Sequence, residues 1–330
     1  MSSGKGTDRQ LCALLAAVTT VPTLQVFAGV PFRWVLLGTG AAALTLALLW
    51  RLAEDGSAAL PELLRGCAAL PALSCLALTL AAGWAAGRSA LCFPQTENAP
   101  WTGLLVLALA AYAARSGIEP LLRCGSILAA ALAVLLGTVL LFSAPQAEPQ
   151  NLAPAGRAAD ALPVFALSLL PGLWLYFRDG IVRTQKRPGL WLGALVLLPT
   201  AAAAITGGCL SAPIAAQPQP FRVLAQSVSI LGVMQRFETL TYGAELSGFF
   251  LLCAALLHAA MRCAAALLPN VGEARLNTAL AGLAAALLYP AQRLPIGVFC
   301  VLTGLFCGLL PLGTLWVEKS KNFAKLQKKS

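Results

Sequence analysis

Long apolar runs separated by short polar breaks fill this chain, and the runs at 126–142, 190–207 and 248–266 approach the thickness of a bilayer core. A helix needs about 20 apolar residues to cross that core. Apolar residues within the runs do not alternate with period two, as they would in the strands of a membrane barrel. Helices are therefore the spanning element, since lipid offers no partner to an unpaired backbone group. The pattern predicts spans over 10–29, 33–51, 66–87, 101–114, 120–142, 161–178, 188–208, 238–263, 276–291 and 295–317. The fold class is thus an all-α polytopic membrane protein of about ten transmembrane helices.

Residues 1–9 form a polar N-terminus, 10–317 the transmembrane domain and 318–330 a basic tail. The boundary between the fourth and fifth spans rests on the polar break Ala114-Arg115-Ser116-Gly117 and on Pro120, a combination that suits a turn. The segment at about 217–237 stands apart. Pro218 and Pro220 open it, and Phe221, Leu224, Val228 and Leu231 mix there with Arg222, Gln226 and Ser229. It predicts an external amphipathic helix that lies on the membrane or plugs a vestibule.

Composition supports the same class: 58% of residues are hydrophobic and 11% charged, against roughly 25% charged in a soluble domain. The net charge of +10 comes from basic residues between spans and in the tail, so it reports topology and not nucleic-acid binding. With the N-terminus inside, the cytoplasmic segments hold Arg178, Arg183, Lys186, Arg187 and the tail lysines Lys319, Lys321, Lys325, Lys328 and Lys329. This bias puts both termini in the cytoplasm of a multi-pass membrane protein. The tail reads as a topology anchor, or as a ligand for anionic membrane lipid at about 1 kcal/mol per lysine.

Ten cysteines lie mostly in or beside apolar runs, with no C-x-x-C pair and one histidine, His258, in the chain. They read as buried thiols that act as small hydrophobes, so no metal and no cofactor is expected. No G-x-S-x-G, H-E-x-x-H or P-loop occurs, so an enzyme is not expected either.

Two prolines interrupt spans. The first span carries Thr19-Thr20-Val21-Pro22-Thr23 and the sixth Ser168-Leu169-Leu170-Pro171-Gly172. Proline removes a donor and crowds the preceding turn, so a kink or unwinding is expected at both places. If ten spans form two inverted halves of five, these are the first members of each half. Transporters built on inverted repeats place their substrate there, with freed amides facing a carboxylate and freed carbonyls facing a cation. Candidate ligand contacts are Thr20, Pro22, Thr23, Ser168, Pro171 and Gly172. The alternative is a pair of ordinary proline kinks eased by neighbouring hydroxyls.

Arg236, Glu238 and Glu245 open the eighth span, and seven residues put both glutamates on one helix face. A carboxyl in lipid costs at least a few kcal/mol, so that face points into protein or water. Arg236 and Glu238 read as a structural ion pair near the interface. Glu245 reads either as structural or as a proton- or cation-coupling group. His258, further along the same span, reads as a structural histidine.

Several stretches together resemble the GerAB type of spore germination protein. Ala114-Arg115-Ser116-Gly117-Ile118-Glu119 through Arg123 is similar to that family's AR-x-G-I-E-x-x-x-R turn. Ser227-Val228-Ser229-Ile230-Leu231-Gly232 followed by Gln235-Arg236-Phe237-Glu238 is similar to its external helix and its entry to span eight. Asp8-Arg9-Gln10-Leu11 before span one, and Leu170-Pro171-Gly172 with Arg178-Asp179, fit the same pattern. Gln235 stands where an acidic residue is usual, and Val21-Pro22-Thr23 where a glycine-bearing break is common.

The resemblance implies the amino acid–polyamine–organocation fold, a LeuT-like 5+5 inverted repeat with spans one and six broken. It also implies the B subunit of a nutrient germinant receptor in the spore inner membrane, working with A-type and C-type subunits. Such a subunit would bind an amino acid or similar small nutrient and signal, by ion conduction or otherwise, to start germination. The alternatives are a proton- or cation-coupled amino-acid permease that uses the same pocket, and a structural subunit whose pocket has lost its function.

Overall fold

The computed structural model describes residues 6–27, 29–54, 59–90, 99–152, 157–178, 181–182, 188–210, 220–227 and 237–327. Apolar sequence in these stretches resolves into helices, as lipid demands. In chain order they are α1 (Asp8–Phe27), α2 (Phe32–Glu54), the single turn α3 (Leu60–Leu63), α4 (Ala69–Ala90), α5 (Ala99–Arg115) and α6 (Ile118–Ser143). Then come α7 (Ala161–Ser168), α8 (Trp174–Phe177), α9 (Pro188–Cys209), α10 (Pro220–Ser227), α11 (Phe237–Leu267), α12 (Glu273–Gln292), α13 (Ile296–Thr303) and α14 (Leu310–Gln327).

Among the described residues, six helical segments are long and apolar enough to cross a membrane: Phe32–Ala53, Ala69–Ser89, Ile118–Gln146, Ala158–Phe177, Leu240–Leu267 and Ile296–Ser320. Helices α1, α5, α9 and α12, of 20, 17, 22 and 20 residues, pack among them. The protein is thus an integral multi-pass α-helical membrane protein.

Burial sorts these helices into a centre and a rim. Leu251–Ala260 of α11 is buried on every face, as expected of a helix that is apolar all round and enclosed by others. Its most extensive partner is α4, and α1, α5, α6, α10 and α12 also pack against it. Helices α2 and α6 instead turn Leu44, Ile127, Val134 and Leu141 outward. Such exposed large apolar side chains are at home against acyl chains.

The predicted break between the fourth and fifth spans is a turn at Gly117, whose φ of 95° lies in the left-handed region that favours glycine. Glu119 and Arg123, one turn apart on α6, pair directly behind it.

Gly6–Thr7 (β1) pairs in parallel with Ile181–Val182 (β2), a contact that the apolar pattern does not announce. It ties the start of α1 to the chain just beyond α8. Spans one and six therefore run in opposite directions through the bundle, as two halves of an inverted repeat would.

The first span departs from expectation. Helix α1 continues through Pro22 without interruption, so the predicted break in span one is absent. Two local features hold it together. Val21 seats against Gly248 of α11 so closely that a Cβ at Gly248 would lie 2.1 Å from the valine Cγ2. Thr19, Thr20 and Thr23 each bond back to carbonyls of the preceding turn.

Of the predicted amphipathic segment, Pro220–Ser227 is helical, with Phe221, Leu224 and Ala225 buried and α1, α6, α9 and α11 as its neighbours. Residues 228–236 lie outside the described residues, and Arg236 is among them.

Candidate functional site

The sixth span is interrupted where the sequence predicts. Helix α7 ends at Ser168, a tight three-residue-per-turn segment covers Leu170–Leu173, and α8 resumes at Trp174. Chemistry explains the change. Pro171 has no N–H to give to a preceding carbonyl. The Gly172 N–H bonds to Leu169 O at 2.8 Å, one residue nearer than in an α-helix.

The Ser168 carbonyl thereby loses both helical donors: position 171 is proline, and the amide at 172 is spent on Leu169. The Ser168 hydroxyl is also buried, and it has no hydrogen-bond partner. Serine in a membrane helix ordinarily bonds to a carbonyl one turn back, which is the economical choice away from water. At Ser168 a donor and an acceptor are both left over at one residue, and an unmade buried bond costs about 1–3 kcal/mol.

The interrupted turn lies against the last span. Between α13 and α14, Gly304–Leu309 forms a π-helical segment, a form that recurs at functional sites. A Cβ at Gly172 would stand 1.8 Å from Cys307 O, and one at Gly308 would stand 2.4 Å from Leu169 Cδ1. The Tyr176 hydroxyl donates to Phe306 O at 2.8 Å, taking up a carbonyl in the widened turn. Gly172 thus has a packing duty on one side, whatever its backbone contacts on the other, and Pro171 is buried beside it.

On α1, Thr20 and Thr23 are buried, and their hydroxyl protons are committed. Thr20 donates to Ala16 O at 2.7 Å, and Thr23 donates to Thr19 O at 2.9 Å and Thr20 O at 2.7 Å. A hydroxyl so engaged can still accept through its lone pairs. These threonines are therefore equipped to receive a bond from an ammonium, whereas Ser168 can donate one to a carboxylate. Pro22 leaves Val18 O without its helical donor.

Glu245 is buried on α11 three residues before Gly248, so it lies on the helix face that meets α1, about one turn from the Val21 contact. Glu238 sits in the first turn of the same helix, and its side chain is outside the described residues.

His258, by contrast, belongs to the framework. Its Nδ1 is 3.2 Å from Ala114 O at the end of α5, and its ring packs 5.6 Å from that of Phe177. Asn277 of α12 donates to Ala111 O in the same last turn. Arg178, just after α8, is buried and donates to Ala53 O at the end of α2. Three polar side chains thus bond to carbonyls near helix ends, where the Ala114 carbonyl also accepts from the Gly117 N–H at 3.3 Å.

Sequence reasoning missed Tyr176 and the π segment. Gly304 and Gly308, four apart in an apolar run, were the available signal, because small residues at that spacing let helices approach closely.

No protein-family model matches this chain, and no curated protein matches it in sequence. Among solved structures it is similar to MhsT in complex with L-phenylalanine, with a TM-score of 0.62 and 12% identity over 94% of this chain and 89% of that one. The chain therefore shares the LeuT-type fold of that protein.

Proposed function

We propose that the chain binds an amino acid or similar small nutrient where the interrupted sixth span faces α1, and that it is the B subunit of a spore germinant receptor. One observation carries the binding reading: Ser168 buries a hydroxyl without a partner and a carbonyl without a helical donor at one point of the interior. A zwitterion answers both needs. Its carboxylate takes the Ser168 hydroxyl, and its ammonium takes freed carbonyls together with the lone pairs of Thr20 and Thr23. That the similar structure of MhsT holds L-phenylalanine supports this ligand class.

The receptor reading rests on the motif order, from Asp8-Arg9-Gln10-Leu11 through the Gly117 turn to Arg236-Phe237-Glu238. Under it the ten predicted spans cross the spore inner membrane with both termini in the cytoplasm. A-type and C-type subunits then read a shift between two states of the bundle, and a ligand produces such a shift only through different affinities for the two.

The fold shared with MhsT, together with the buried Glu245, favours a second reading: a proton- or cation-coupled permease. Vesicles that hold this chain alone separate the two. Saturable binding of an amino acid without accumulation, lost in Ser168→Phe, is the expected result. Concentrative uptake replaces the receptor subunit with the permease, and absence of binding across a full amino-acid panel overturns both.

A further inference from the structure

Helices α2 and α14 meet along an open cleft of about 540 Å³ on the rim of the bundle, lined by Leu48, Leu52, Leu309, Leu312, Gly313 and Trp316. Its walls are apolar and face outward, with Leu48, Leu309 and Trp316 all exposed. Gly313 is informative here. A Cβ at this position would meet nothing within 4 Å, unlike one at Gly172 or Gly308, so no packing within the protein calls for glycine. Its effect is to leave the cleft open.

Charge is arranged around one end of this cleft. Arg51 follows Leu48 by three residues and precedes Leu52 by one, so it borders the face of α2 that lines the cleft. Lys319 follows Trp316 by three residues and borders the corresponding face of α14. Both are exposed. Glu318, two residues beyond Trp316, lies about 200° around the helix and so on the far side. Trp316, apolar in body with an N–H at its tip, lines the cleft about one turn before Lys319, and tryptophans of this kind sit at the headgroup level.

We propose that this cleft is a binding site for a phospholipid with an anionic headgroup. An acyl chain lies against Leu48, Leu309, Leu312 and the open face of Gly313, and the phosphate lies between Arg51 and Lys319. The chemistry is that of a membrane surface, with a strongly solvated anion at the interface and a chain that extends into apolar protein.

Native mass spectrometry of the purified full chain tests it, with phosphatidylglycerol and phosphatidylcholine offered at equal concentration. The wild type is expected to retain phosphatidylglycerol several-fold more than phosphatidylcholine. The double variant Arg51→Gln/Lys319→Gln should lose that excess, and Gly313→Phe, which fills the cleft from an open position, should lower retention of both lipids. Equal retention of the two lipids by the wild type overturns the proposal. So does an excess that survives Gly313→Phe, since the remaining tail lysines would then hold the lipid without the cleft. Leu48→Trp fills the cleft from the other wall and provides the same comparison should Gly313→Phe fold poorly.

Discussion

Ser168→Ala separates ligand chemistry from packing, because the two predict opposite signs. The hydroxyl is buried and unpaired in the empty protein, so its removal takes away a desolvation cost of about 1–3 kcal/mol. Alanine fills nearly the same volume, and the neighbouring turn has no bond to lose. The empty variant is therefore more stable than the wild type, by roughly 1 kcal/mol after partial relaxation. With an amino acid bound, the same hydroxyl donates to a carboxylate, a charge-assisted bond worth about 1.5–3 kcal/mol. Its loss weakens binding by about tenfold to a hundredfold. Thermal melts of purified protein with and without the ligand read both quantities. The expected result is a higher melting temperature without ligand and a smaller ligand-induced rise. A variant that melts at the wild-type temperature and binds with wild-type affinity would refute the assignment of Ser168 as a ligand contact.

Two further substitutions probe the junction of spans six and ten. Gly172→Ala places a methyl 1.8 Å from the Cys307 carbonyl oxygen, so backbone must move; overpacking of this kind costs about 1–3 kcal/mol or more, and Gly313→Ala, in open space on a helix and expected to gain up to about 1 kcal/mol, serves as the control in the same melting assay. Tyr176→Phe removes the bond to Phe306 O and leaves a carbonyl of the π segment unpaired; a loss of about 1–3 kcal/mol is expected, with faster hydrogen exchange over Gly304–Leu309.

The helices were legible in the sequence because lipid makes the apolar run both necessary and sufficient for a spanning helix. The Gly117 turn was legible for the same local reason, since a polar Arg-Ser-Gly break has few other uses between two apolar runs. Tyr176 was not. A tyrosine inside an apolar stretch reads as an aromatic packing residue until its partner, the Phe306 carbonyl 130 residues away, is known. Arg178 was placed by its charge at a cytoplasmic loop, yet it is buried against the end of α2, where it takes up Ala53 O. Its sequence context concealed the work it does for a neighbouring helix.

The two prolines show where local reading ends. Pro22 and Pro171 remove the same donor from the same kind of helix, and from sequence alone they predict the same break. Only one break forms, so the difference lies in what each helix touches. At Pro22 the neighbour is Gly248, a gap that receives Val21 while α1 continues as a helix. At Pro171 the neighbour is the Cys307 carbonyl, which presses on Gly172 and tightens the turn. If contact and not proline sets the conformation, alanine at the two positions acts differently. In Pro22→Ala the new N–H meets Val18 O in a helix already formed, a gain of about 1 kcal/mol that a melt records. In Pro171→Ala the segment stays in its tightened form under Cys307, and the new N–H meets the freed Ser168 carbonyl three residues back while the Gly172 N–H keeps its bond to Leu169 O. A Pro171→Ala structure in which the Gly172 N–H returns to the Ser168 carbonyl in α-helical register would mean that proline alone interrupts the sixth span, and that the close approach of the last span is a consequence of the break.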